Sequence, residues 1–158
     1  MIEPGYIVAK YVKKAPVNVV GLAKELGINV WESDSLPENK SGKIFKDRQN
    51  GGPTGFSILV NARESLYRKR FTVAHELAHF LLHRQQLNEG DLVDDTMYRS
   101  GLTNAEEAAA NKLAAEILMP RPLIKELVRS GYKDPESLAQ RLEVSIPAIK
   151  IRLGIPSV

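Results

Sequence analysis

Two of the three histidines in this chain stand four residues apart in "RFTVAHELAHFLLHR", residues 70–84, with Glu76 directly after the first. On an α-helix, residues at that spacing share one face a turn apart, so His75 and His79 can aim imidazole nitrogens at a common point. Glu76 projects beside that point. A carboxylate there can take a proton from a water polarised by a metal ion and hand it to a departing amine, which is the chemistry of peptide hydrolysis. The pattern fixes only three positions and recurs on unrelated amphipathic helices, so a third ligand has to be found.

A catalytic zinc commonly takes three protein ligands and keeps a fourth position for water. The chain has no cysteine, which leaves nitrogen and oxygen as donors. His83 is one turn beyond His79, but four-residue steps drift around a helix by ~40° each, so three histidines in that series do not converge well on one ion. His83 reads instead as a packing or hydrogen-bonding residue. Leu82 and Gln85 occupy the places where a longer zinc motif requires Gly and a third His. A distal carboxylate is the better choice, and Glu107 in the following predicted helix is favoured, with Asn111 one turn on to hydrogen-bond a ligand's second nitrogen. Glu106 is the immediate rival, although it suits a capping box with Thr103. Glu116 is expected to point elsewhere. Asp91, Asp94 and Asp95 read as a solvated acidic loop, and Tyr98 and Arg99 are the nearest candidates for stabilising an oxyanion.

These residues need rigid elements beneath them. From Arg63 to Gln86 there is no Gly or Pro, and Leu66, Phe71, Ala74, Leu77, Ala78, Leu81 and Leu82 form a broad apolar face, so the motif belongs inside a long helix. Residues 87–102 are polar and acidic, with Gly90 and Gly101, and read as a loop. Thr103 and Glu106 then open an alanine-rich helix that runs to Pro120. Upstream, Val19, Val20, Leu22, Ala23 and Leu26 predict a short helix closed by Gly27 and followed by a strand at 28–32. Extended runs at 43–47 and 56–60, separated by Gly51, Gly52 and Pro53, complete a small, partly antiparallel sheet.

Further helices are predicted at 120–130, 135–142 and 146–153. Within 134–155, Leu138, Ala139, Leu142, Val144, Ile149 and Leu153 are spaced like the core of a helix-turn-helix, with Ser145 as a cap. A DNA-reading helix starting near Ile146 offers only Lys150 and Arg152 as strong polar contacts. A packed helical pair is therefore preferred to a DNA-binding unit. The 158 residues, 43% apolar and 26% charged, suit a single domain over 1–158 with one active site. No apolar run approaches the ~20 residues needed to span a bilayer, and the start lacks a signal-peptide core, so the expectation is a cytoplasmic protein without membrane contact. The net charge of +3 comes from scattered Lys and Arg, which mean a solvated surface.

Taken together, "RFTVAHELAHFLLH" and "EAAANKLAAEILMP" resemble the ImmA/IrrE family of zinc metallopeptidases. "PVNVVGLAKELGINV", "SGKIF", "SILVNA" and "LAQRLEVSIPAIKIRLGI" follow in the family's order, over roughly residues 15–155. The resemblance implies a compact zincin-like α+β fold with a small sheet, an active-site helix pair and a helical tail. It also implies one Zn2+ held by His75, His79 and Glu107, with Glu76 as general base. Family members are commonly cytoplasmic bacterial proteins, often linked to phage or mobile elements, that cleave a helix-turn-helix repressor; such a repressor is the expected protein substrate. A chain of this length is expected to have no room for an added DNA-binding or GAF-like sensor domain, and Ala78 stands where the family often has Gly. The competing expectation is a DNA-binding or repressor-binding regulator with a metal site but no proteolysis. Glu76 speaks against it, because a structural zinc site needs no carboxylate beside its ligands.

Overall fold

The segment Phe56–Asn61, "FSILVN", is buried at every position but Leu59, as an almost unbroken apolar run should be when both faces of a strand are covered. It is the middle strand of the sheet. The computed structural model describes residues 3–89 and 103–156. In chain order these form α1 (Pro4–Tyr11), α2 (Val19–Glu25), β1 (Ile28–Ser33), β2 (Gly42–Lys46), β3 (Phe56–Asn61), α3 (Leu66–Glu89), α4 (Asn104–Leu118), α5 (Arg121–Arg129), α6 (Pro135–Leu142) and α7 (Ile146–Leu153). The sheet order is β1-β3-β2. β1 runs parallel to β3, with Ile28 opposite Phe56, and β2 runs antiparallel to it, with Ile44 opposite Ile58. This is the α+β class that the zincin-like resemblance implies.

The edge strand β2 comes close to α3 because of Gly42. A Cβ built there would fall 2.4 Å from the Leu59 carbonyl oxygen and 2.7 Å from Thr72 Cγ2, so only glycine lets strand and helix meet. On the other side α3 packs against α4. Ala74 and Ala78 on α3, and Ala110 and Ala114 on α4, are all fully buried, and side chains this short permit a close approach of the two axes. As a result the middle of α3 is covered nearly all round. Between Thr72 and Phe80, His75 is the one residue that is not buried.

Three apolar residues assigned to buried faces lie outside: Val20, Leu66 and Leu82 are 39%, 56% and 47% exposed. Residues 87–89, expected in a loop, instead continue α3, and Leu87 is buried. The remainder of that expected loop, with Asp91, Asp94, Asp95, Tyr98 and Arg99, lies outside the described residues. No helix among the described residues is long and apolar enough to cross a membrane.

Two arginines tie the tail to the site-bearing helices. Arg152 Nε donates to the carbonyl of Met119, the residue that ends α4. Arg70, near the start of α3, donates from Nε to the Glu143 carbonyl and from Nη2 to the Leu142 carbonyl, closing the C-terminus of α6 where Glu143 turns left-handed at φ 55°. Burial pushes the Arg70 guanidinium below its ordinary range, opposed by the Glu143 carboxylate 3.8 Å away. Arg70→Met keeps much of the packing but leaves both carbonyls without the cation. It should cost about 1–3 kcal/mol, read in a thermal melt as a fall of roughly 3–10 °C in Tm.

Candidate metal centre

Four rings climb α3 at four-residue intervals. Phe71 stacks on His75 with centroids 6.2 Å apart, His75 meets His79 edge-on at 4.6 Å, and His79 meets His83 at 5.3 Å. The series follows from the helix repeat, since residues i and i+4 lie over one another on one face. His79 is fully buried in the middle, while the side chain of His75 keeps 20% exposure.

Glu107 reaches this series from α4. Its position depends on how α4 begins: the Thr103 hydroxyl accepts from the Glu106 backbone N–H, and the Glu106 carboxylate accepts from the Thr103 backbone N–H at 2.8 Å. This capping box uses Glu106 at the helix start and leaves Glu107, the next residue, to face α3. Glu107 Oε1 lies 3.0 Å from His79 Nε2 and 3.4 Å from His75 Nε2, and the two histidine nitrogens are 3.1 Å apart. Among the described residues these form a three-donor cluster able to hold an ion.

The spacing can be tested against a metal. A triangle with those sides has a circumscribed radius of about 1.8 Å, slightly less than a zinc–nitrogen or zinc–oxygen bond of ~2.0–2.2 Å. All three atoms could therefore reach one ion at ordinary bond lengths. Two neutral nitrogens and one carboxylate oxygen suit zinc as a borderline acceptor. The donor set fits.

Glu76 follows His75 and is 4% exposed, on the covered part of α3. Asn111, expected to meet a ligand's second nitrogen, is exposed on α4. The atom that meets His79 is on His83: the two Nδ1 atoms are 3.1 Å apart. The i to i+4 step that joins His75 to His79 is repeated from His79 to His83, so the pairing had a sequence signal. Phe71, which stacks on His75, is a further neighbour of the site, and its place one turn before His75 carries the same signal. Glu116 is exposed and is not among the three donors of the cluster.

A family model described as IrrE N-terminal-like domain, a peptidase family, matches residues 23–154. The chain belongs to this family. Among curated proteins it is similar to the radiation response metalloprotease IrrE of Deinococcus radiodurans, 36% identical over 94 residues that make up 56% of this chain and 27% of that protein. The IrrE of Deinococcus deserti is 37% identical over 99 residues, 59% of this chain and 34% of the relative. The matched segments are thus about a third or less of those proteins. Among solved structures, a Mycobacterium tuberculosis transcriptional regulator shares the fold with a TM-score of 0.63 at 16% identity, over 98% of this chain and 46% of that one.

Proposed function

We propose that this chain is a zinc-dependent metallo-endopeptidase acting in the cytoplasm on a protein substrate, with a helix-turn-helix transcriptional repressor as the substrate class. The observation that carries the reading is the meeting of His75 Nε2, His79 Nε2 and Glu107 Oε1 within 3.4 Å, with Glu76 next to His75 in the chain, in a member of a peptidase family. Bound at these atoms, zinc would polarise the scissile carbonyl and lower the pKa of water toward neutrality. His75, His79 and Glu107 hold the ion. Glu76 takes the proton of the attacking water and returns it to the leaving amine, a role worth on the order of 10²–10⁴-fold in rate. The partial exposure of His75 and Glu107, against the complete burial of His79, marks the side from which a peptide approaches.

The repressor as substrate rests on the family resemblance. The alternative, a regulator that binds DNA through its tail, draws no support from α7. Arg152, one of its two strong polar candidates, is turned to Met119, and Ile146, Pro147 and Ile151 are the exposed positions.

The test is to incubate the zinc-loaded protein with a purified helix-turn-helix repressor encoded beside its gene, and to map new N-termini by mass spectrometry. A discrete new terminus that disappears when zinc is stripped by a chelator is the expected result. A stable complex with intact repressor would replace the peptidase reading with one of binding alone.

A further inference from the structure

His83 is 93% buried, hydrogen-bonds a donor of the candidate metal centre, and has no role in the proposed reaction. We propose that it is the positioning residue of that centre: it accepts a hydrogen bond from His79 Nδ1–H, so that Nε2 of His79 carries no proton and stays aimed at the ion. This rests on reading the three-donor cluster as a metal site, and it is independent of whether peptide cleavage follows.

A histidine that binds a metal through Nε2 must carry its proton on Nδ1, and that N–H needs an acceptor when it is buried. His79 is fully buried, its Nε2 faces His75 and Glu107, and its Nδ1 faces His83 Nδ1 at 3.1 Å. Two N–H groups cannot face each other at that distance. With the metal bound, His83 Nδ1 is therefore the bare nitrogen, and the proton of His83 sits on Nε2. Ligating histidines usually find this support from a carboxylate, a carbonyl or water. Here the acceptor is a neutral ring on the same helix, which fixes the orientation of His79 without adding negative charge beside the ion.

The backbone carries a second observation. α3 departs from helical torsions at one residue, His83 itself, with φ −128° and ψ 29°, although the nearest glycine is Gly90 and no proline lies in the helix. Helices bend sharply at Pro, at Gly/Ser pairs, at π-bulges, or where a side chain or water enters the i to i−4 hydrogen-bond ladder. The bend falls at the residue whose ring meets His79, with the two ring planes inclined at 45°.

The experiment compares zinc affinity of the full chain, by competition with a chromophoric chelator, for the unaltered protein, His83→Phe and His83→Gln. Phe fills the space and offers no acceptor, so affinity should fall on the order of 10–100-fold. Gln restores an acceptor oxygen and should recover affinity to within about threefold. Zinc binding by His83→Phe equal to that of the unaltered protein would overturn the proposal and leave the metal site standing. Failure of Gln to recover affinity, in a protein that melts normally, would also overturn it. Absence of zinc binding by the unaltered protein would remove both. Nitrogen-15 NMR of the histidines in the zinc-loaded, unaltered protein needs no variant to fold: Nδ1 protonated on His79 and bare on His83 is expected, and the reverse pattern would overturn the assignment.

Discussion

Glu76→Gln should retain one zinc per chain and lose peptide hydrolysis by on the order of 10²–10⁴-fold. Glutamine has the size and shape of the residue it replaces, so at a position only 4% exposed the packing of α3 is preserved. The donors His75, His79 and Glu107 are untouched. What the amide cannot do is take a proton from water and return it to an amine. Elemental mass spectrometry gives the zinc content, and the rate at which the new repressor N-terminus appears gives the activity. Undiminished cleavage would move the general base to another residue, and loss of zinc would make Glu76 part of the metal's support. A binding-only protein predicts no difference between the two forms, because neither would cut.

The elements around the site could be read from the sequence because each rests on short-range physics. A stretch from 63 to 86 without Gly or Pro gives a helix, the helix repeat brings His75 next to His79, and Thr103 with Glu106 fixes where α4 begins. Once that start is set, Glu107 is the next residue and Ala110 and Ala114 follow on the buried face, so the approach of α4 to α3 is encoded in side-chain size as well as in register.

What escaped depends on contacts across the fold. An apolar period shows which side of a helix is hydrophobic but not how far its partner extends, and Leu66 and Leu82 lie near the ends of the covered stretch of α3. Asn111 and His83 were both within reach of a ring nitrogen by spacing. His83 meets His79 Nδ1 whereas Asn111 is exposed on α4, a difference that periodicity does not contain. The two arginine clamps are further removed, since Arg70 meets Leu142 and Glu143 from the other half of the chain. For the same reason Arg152, counted among groups able to reach DNA, turned out to complete the end of α4.

The pair Glu106 and Glu107 offers the sharpest separation of structure from metal binding, since adjacent residues of one type differ only in direction. A four-ligand zinc site is worth ~10–16 kcal/mol in all, so one ligand in four contributes on the order of 2.5–4 kcal/mol, and Glu107→Ala should weaken zinc binding roughly 10²–10³-fold. Glu106→Ala removes half of the capping box, at about 1 kcal/mol of helix stability, and should leave zinc affinity within a fewfold of its starting value. Chelator competition and thermal melts on both variants read the two quantities separately. The 3.0 Å and 3.4 Å approaches of Glu107 Oε1 to His79 and His75, against the 2.8 Å bond of Glu106 to the Thr103 backbone, predict opposite patterns. Glu107→Ala loses metal affinity with little loss of apo stability, whereas Glu106→Ala loses stability and keeps the metal. Retention of zinc by Glu107→Ala would remove Glu107 from the ligand set and return the third ligand to Glu106 or His83.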